Sequence, residues 1–111
     1  MKALLIKGNR ADVVEVEAGA WDKLLDTTVT GAASLMIGGR ICQVIYNNCF
    51  ADYGILRPTV ITQDGEPLFY GPLLICRPEG GLTASDVARI RESIVTLESM
   101  TPGDNWKVIQ L

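Results

Sequence analysis

Two glycine-containing turns between runs of strand-forming residues place the strongest constraint on this chain. Gly38-Gly39 separates the run AASLMI from RICQVIY, and Asp64-Gly65 separates TVIT from PLFYGPLLIC. Gly38-Gly39 can supply the positive φ angles of a two-residue hairpin turn, and Asp-Gly is among the strongest short hairpin signals. At the N-terminus, KALLIK and VVEVE flank the turn sequence GNRAD and predict another hairpin. The chain is therefore predicted to form antiparallel hairpins.

The run after Asp64-Gly65 is long for a single strand and contains two prolines. Pro67 and Pro72 cannot donate hydrogen bonds to a neighbouring strand. We therefore expect the strand from Leu68 to Cys76 to lie at a sheet edge or to contain a bulge near Tyr70-Gly71-Pro72, and we favour the bulge.

Two segments have the spacing of a helix instead. A short helix is predicted between Ala18 and Thr27, because its apolar residues fall on one face. LTASDVARIRESIVTLESM predicts a longer helix that begins with a capping-box pattern at Thr83 and Asp86. The apolar stripe of this helix consists of Val87, Ile90, Ile94 and Leu97. The final WKVIQL adds a last strand.

These elements predict an α+β fold in one domain covering residues 1–111. The strands do not alternate regularly with helices, so we expect a mostly antiparallel sheet of hairpins with two helices packed on one of its faces. Hydrophobic residues make up 48% of the 111 residues, and 11 glycines come in addition. A domain of this size cannot bury so much apolar surface alone, and we therefore expect a homo-oligomer.

Charge and composition exclude several classes of partner. The net charge is −3 and no run of Lys or Arg occurs, which argues against a duplex nucleic acid partner. No apolar stretch approaches the ~20 residues of a membrane helix, and the N-terminus lacks the pattern of a signal peptide. Three cysteines without framework spacing fit reduced thiols. We expect a cytoplasmic protein that does not bind membranes.

The chain contains no histidine, and this weakens the case for an enzyme. Histidine is the most common general base and the commonest metal ligand. We therefore predict no catalytic residue, no metal site and no cofactor. An enzyme that uses Cys49, with Arg57 as the nearest cation in sequence, or an unrecognised carboxylate pair remains the alternative.

The connection from Ile45 to Thr59 holds most of the candidate ligand-binding residues. The candidates are Asn47, Asn48, Tyr53, Arg57 and Tyr70. Asparagine amides both donate and accept hydrogen bonds, but Asn47-Asn48 equally suits a turn. Tyr53 and Arg57, with Asp52, suit an anion or a sugar hydroxyl, or form an ordinary solvated loop. Tyr70 suits an aromatic contact with a ligand, or merely precedes a bend.

Several short strings resemble the family catalogued as domain of unknown function 3846, found in phages and mobile elements. They are MKALLIK followed by VVEVE, the strand VTGAASLMI, IYNN at a strand end, YGPLLIC and LTASDVARI. The resemblance implies a phage or mobile-element protein of a bacterial host, without an established activity. We expect a non-catalytic accessory protein that binds a small polar ligand, such as a nucleotide, or a host protein. Counter-defence is one use of such a protein, and a structural or assembly role is a further alternative.

Overall fold

Nine strands and two helices form the described part of the chain. The computed structural model describes residues 1–17, 20–25, 29–48, 57–98 and 103–111. The strands are β1 (Lys2–Lys7), β2 (Arg10–Glu15), β3 (Thr30–Ile37), β4 (Arg40–Asn47), β5 (Pro58–Ile61), β6 (Pro67–Tyr70), β7 (Leu73–Cys76), β8 (Ile94–Glu98) and β9 (Asn105–Gln110), and the helices are α1 (Asp22–Leu25) and α2 (Ala84–Arg91). The predicted α+β class, with mostly antiparallel strands and two helices, is confirmed.

Five strands form the larger sheet, in the order β2-β1-β7-β4-β3. The predicted hairpins β1–β2 and β3–β4 are both present, and the second turns at Gly38 and Gly39 with φ of 61° and 83°. β7 lies between the two hairpins and is antiparallel to both β1 and β4. The two local hairpins are thus joined into one sheet by a strand from much later in the sequence.

The other four strands form a second sheet, where we had expected a single one. Its order is β6-β5-β9-β8, and the predicted hairpin β5–β6 is at one side of it. β5 and β9 run parallel, whereas β8 and β9 are antiparallel. Pairing between segments that are distant in sequence produces this sheet, and hairpin signals cannot reveal such pairing.

The proline-containing run after Asp64-Gly65 divides into two strands, not one strand with a bulge. Gly71 lies between β6 and β7 with φ of 78°, a conformation that favours glycine. β6 is an edge strand of the four-stranded sheet, while β7 is central in the five-stranded one. The prolines are therefore tolerated, because Pro67 begins an edge strand and Pro72 lies in the link.

The second predicted helix is shorter than its sequence pattern suggests. Its capping box is confirmed, since the Asp86 N–H donates to Thr83 Oγ1 at 3.1 Å and the Thr83 N–H to Asp86 Oδ2 at 2.9 Å. The helix ends at Arg91, however, and Ile94–Glu98 forms β8. Ile94, Val95 and Thr96 are β-branched and pair well in a strand, and their pairing with β9 prevails over the helical spacing.

The core has two layers, one on each face of the five-stranded sheet. Alternate residues of β4 and β7 point to opposite faces: Val44 and Ile75 belong to one layer, Ile45 and Leu74 to the other. The first layer includes the four-stranded sheet and α2, and the second includes α1. The helices therefore cover opposite faces and not one face as predicted. No helix in the described ranges has the length and apolarity to span a membrane.

Candidate functional site

The structure places four of the five candidate ligand residues, and the fifth lies outside its description. Asn47 is the last residue of β4, opposite Thr30, and is only 1% exposed. Asn48 follows it, is exposed, and donates its backbone N–H to the Val29 carbonyl at 2.9 Å. Tyr53 and the alternative nucleophile Cys49 lie outside the described residues.

Strand pairing brings the end of β4 close to the link between β6 and β7. Tyr46 is paired with Leu73, so Asn47 and Asn48 lie level with Pro72 and Gly71. The Gly71 N–H donates to the Arg57 carbonyl at 3.2 Å. Asn48, Arg57 and the Tyr70 segment therefore meet at one end of the two sheets.

Pairing in the β5–β6 hairpin places Tyr70 close to Arg57 in the fold. Pro58, which follows Arg57, is paired with Tyr70 across the two strands. The Tyr70 side chain is half-buried. The backbones of Arg57 and Tyr70 are therefore close to each other at this end of the hairpin.

Arg57 is held by two residues that the sequence did not single out. Its guanidinium lies over the ring of Trp106, 5.0 Å from the centroid, and forms an ion pair with Asp104. The Trp106 indole N–H donates to the Pro58 carbonyl at 3.1 Å, which fixes the ring. Parallel pairing of β5 with β9 creates this contact, so no local sequence signal predicted it.

An aromatic pair supports this end of the domain from within. The rings of Tyr46 and Phe69 lie 4.6 Å apart, centroid to centroid. Tyr46 crosses Gly31 so closely that a Cβ there would lie 2.6 Å from Tyr46 Cζ. These rings connect β3, β4 and β6 next to the asparagines.

The two described cysteines, Cys42 and Cys76, are core residues in strands. Cys42 and Cys76 are both buried, and burial raises the pKa of both thiols. Cys76 is paired with Gln43, the neighbour of Cys42, so the two side chains point to opposite faces of the sheet. Neither thiol has the environment of a nucleophile, since a lowered pKa marks a reactive cysteine.

A shallow polar groove lies at the opposite end of the four-stranded sheet. It has a volume of about 410 Å³ and is lined by Gln63, Glu92, Ser93, Val95, Gln110 and Leu111. Gln110 is bonded within the protein, because its side chain donates to the Gln63 carbonyl and its backbone N–H donates to the Ser93 carbonyl. These two hydrogen bonds join strand ends, and this gives the groove a structural role.

Comparison with protein-family models, curated proteins and solved structures found no match. The resemblance to the family of unknown function 3846 therefore stays a prediction. Within the described ranges, no three His, Cys, Asp or Glu side chains form a cluster that would hold a metal ion. Arg57, with its fixed and partly exposed guanidinium, is thus the central residue of the candidate site.

Proposed function

We propose that this protein is a non-catalytic, cytoplasmic binding protein of a phage or mobile element, and that it binds a small polar ligand such as a nucleotide. The ligand would lie beside Asn48, Arg57, Tyr70 and the Tyr53-containing connection. In that setting, sequestering a host signalling molecule would serve as counter-defence. The observation that carries the proposal is the fixed position of the Arg57 guanidinium.

Arg57 combines exposure with rigidity, as a binding residue should. Its side chain is 48% exposed, yet Trp106 lies against the guanidinium and Asp104 pairs with Nη2. A side chain that is already ordered loses little conformational entropy when a ligand binds. The face directed away from Trp106 can stack on a planar ring, and the other N–H groups can donate to an anion.

The asparagines support this site in different ways. Asn48 is exposed and its amide can contact a ligand directly. Asn47 is buried, so its contribution is to hold the end of β4 in place. An amide, a guanidinium and an aromatic ring are the groups that recognise nucleobase edges and phosphates in proteins.

A thermal-shift screen of nucleotides and cyclic nucleotides tests the proposal. A ligand at about 100 times its Kd should stabilise the protein by about 2.7 kcal/mol. Arg57→Gln should weaken the binding about tenfold, because it removes a charge-assisted hydrogen bond. Arg10→Gln is the matched control, since Arg10 is also exposed and also pairs with an aspartate, Asp12.

Failure of every nucleotide to stabilise the protein would argue against the small-ligand proposal. If a host protein is captured by the wild type and by Arg10→Gln, but not by Arg57→Gln, the surface around Arg57 binds a host protein and not a small ligand. Equal binding by all three proteins would remove Arg57 from the site.

A specific observation also favours assembly into a homo-oligomer through β3. This edge strand contains eight residues, Thr30–Ile37, with no charge and no proline. Natural edge strands are usually protected by such residues. β2, at the other edge of the same sheet, contains Arg10, Asp12 and Glu15.

A second copy of this chain is the partner that β3 fits. Two-fold antiparallel pairing sets the strand against its own copy, so a charge near the two-fold axis would meet a like charge. Met36 and Ile41 form an exposed cross-strand pair beside this edge, with 62% and 58% of their surfaces accessible. Their burial against the second copy would account for part of the apolar surplus.

Sedimentation at several concentrations tests this assembly. Ser34→Lys, in the middle of β3, should convert the oligomer to a monomer, because it introduces facing charges. Val13→Lys, an equally exposed change on the β2 edge, should leave the assembly intact. A wild-type protein that is monomeric at all concentrations would contradict the assembly proposal.

A further inference from the structure

Three arginines surround one buried carboxylate at the end of the five-stranded sheet away from Asn48. The Asp86 side chain is 7% exposed, and Arg89 Nη2 lies 2.5 Å from Oδ1. Arg77 Nε lies 3.8 Å from Oδ2, and Arg40 Nη1 lies 3.9 Å from Oδ1. Three of the six arginines in a chain of net charge −3 thus converge on one negative charge.

The cluster carries more positive charge than Asp86 can balance. Asp86 forms a close ion pair with Arg89 alone, and also accepts the Thr83 N–H. Arg40 and Arg77 stay beyond hydrogen-bonding distance, and their side chains are 67% and 49% exposed. A local excess of about two positive charges, on Arg40 and Arg77, is left facing solvent.

Several donors of the three guanidiniums lack acceptors in the described part of the chain. No protein acceptor there lies within hydrogen-bonding distance of the Arg40 or Arg77 guanidinium. Arg89 Nε is buried and has no hydrogen-bond partner there. A buried donor without a protein partner is uncommon, and a bound water or ion is one way in which such a donor is satisfied.

The backbone fixes where the three arginines lie. Arg40 begins β4 after the Gly38-Gly39 turn, and Arg77 directly follows β7. The turn packs against α2 so tightly that a Cβ on Gly38 would lie 2.6 Å from Arg89 Cγ. The cluster thus joins three separate segments whose relative positions are set before any ligand arrives.

We propose that Arg40, Arg77 and Arg89 form a binding site for the phosphate group of a small molecule, with Asp86 as the residue that positions them. A phosphate presents several oxygens to guanidinium N–H groups and matches their charge. Arg40 and Arg77 bind the phosphate directly from either side. Asp86 holds Arg89 in the base of the site and keeps the three guanidiniums together.

This site is independent of the one proposed around Arg57. β4 runs from Arg40 to Asn47, so the two sites lie about 23 Å apart at about 3.3 Å per residue. One mononucleotide does not bridge that distance. The two proposals can therefore fail separately.

Titration calorimetry of inorganic phosphate, AMP and adenosine tests the site, at constant ionic strength set with chloride. We expect phosphate and AMP to bind and adenosine to bind only if the Arg57 site accepts it. Arg40→Gln and Arg77→Gln should each weaken phosphate binding about tenfold, and the double variant should abolish it. Arg10→Gln should bind phosphate like the wild type, because Arg10 lies in neither proposed site. Phosphate binding without AMP binding would assign the site to the free anion.

NMR titration of the wild type keeps the test valid if a variant fails to fold. Phosphate should shift the Nε–Hε signals of Arg77 and Arg40 and the amides of Gly38 and Gly39 along a saturable curve, and leave Asn48 unchanged. The proposal is overturned if chloride at equal ionic strength has the same effect, or if the folded double variant binds phosphate as tightly as the wild type.

Discussion

Replacement of Asp86 by alanine is the most informative perturbation of stability. The Asp86 carboxylate closes the capping box with Thr83 and pairs with the guanidinium of Arg89. Loss of the cap costs about 1 kcal/mol. Loss of the ion pair leaves Arg89, whose side chain is 20% exposed, without its counter-charge. Breaking a fully buried pair costs about 3–5 kcal/mol, so we expect about 2 kcal/mol here and about 3 kcal/mol in total.

Asp86→Asn separates the two contributions. The amide oxygen can still accept the Thr83 N–H, but the negative charge is gone. We therefore expect Asp86→Asn to cost about 2 kcal/mol, less than alanine does. The control is Asp12→Ala, because Asp12 and Arg10 form an ion pair whose side chains are 48% and 75% exposed. An exposed pair contributes less than about 1 kcal/mol.

Urea unfolding followed by circular dichroism at neutral pH measures these differences. The buffer should contain no phosphate, since phosphate is the proposed ligand of the neighbouring arginines. Asp86→Ala within about 0.5 kcal/mol of the Asp12→Ala value would refute the conclusion that this carboxylate stabilises the fold.

Acid should reveal the same contribution in the wild type. Hydrogen bonds from Thr83 and Arg89 hold the pKa of Asp86 well below its ordinary value. A carboxyl group with a lowered pKa in the folded state stabilises the protein above its unfolded pKa, near about 3.9. That stabilisation is lost as the pH falls below about 4. Asp86→Asn should lack this part of the pH dependence, and unfolding curves at neutral and acid pH measure it.

Other positions give simpler predictions. Ile75→Ala should cost about 3–4 kcal/mol in urea unfolding, because Ile75 is 0% exposed in the central strand, whereas Leu68→Ala, at an exposed edge position, should cost less than about 1 kcal/mol. Cys42 and Cys76 should react with thiol reagents at neutral pH only at the rate of unfolding, since burial raises the pKa of both; rapid modification of either in the folded protein would contradict their placement in the core. Trp106→Phe should lose about 1 kcal/mol with its indole hydrogen bond, measured by the same urea unfolding, and an unchanged stability would show that this bond contributes nothing.

Local signals in the sequence predicted local structure well. The turns at Gly38-Gly39 and Asp64-Gly65 and the cap at Thr83 depend on a few neighbouring residues, and all three were identified correctly. The predicted C-terminal end of α2 was wrong, because Ile94 fits both the apolar stripe of a helix and a strand. Its strand conformation is decided by pairing with Ile109, which no local pattern contains.

Contacts between distant segments account for what the sequence did not reveal about the candidate site. Arg57 was identified from the loop, but its partners Asp104 and Trp106 lie about fifty residues later, next to and within the start of β9. No residue near Arg57 in the sequence indicates them. The sequence predicted Asp86 only as part of a helix cap, because the arginines around it are also distant in sequence. Its arginines arrive from a hairpin turn and a strand end, and neither location marks them as neighbours of α2.

The central position of β7 has a consequence for how the chain folds as it is made. The hairpins β1–β2 and β3–β4 are synthesised early, but β1 and β4 each pair with β7, which is made later. At a synthesis rate of about 5–20 residues per second, the inner edges of both hairpins stay unpaired for on the order of seconds before β7 is made. During that interval, two apolar strand edges are open to pairing with other chains. A nascent chain halted before Leu73 should therefore aggregate, and one that extends past Cys76 should begin to close the sheet.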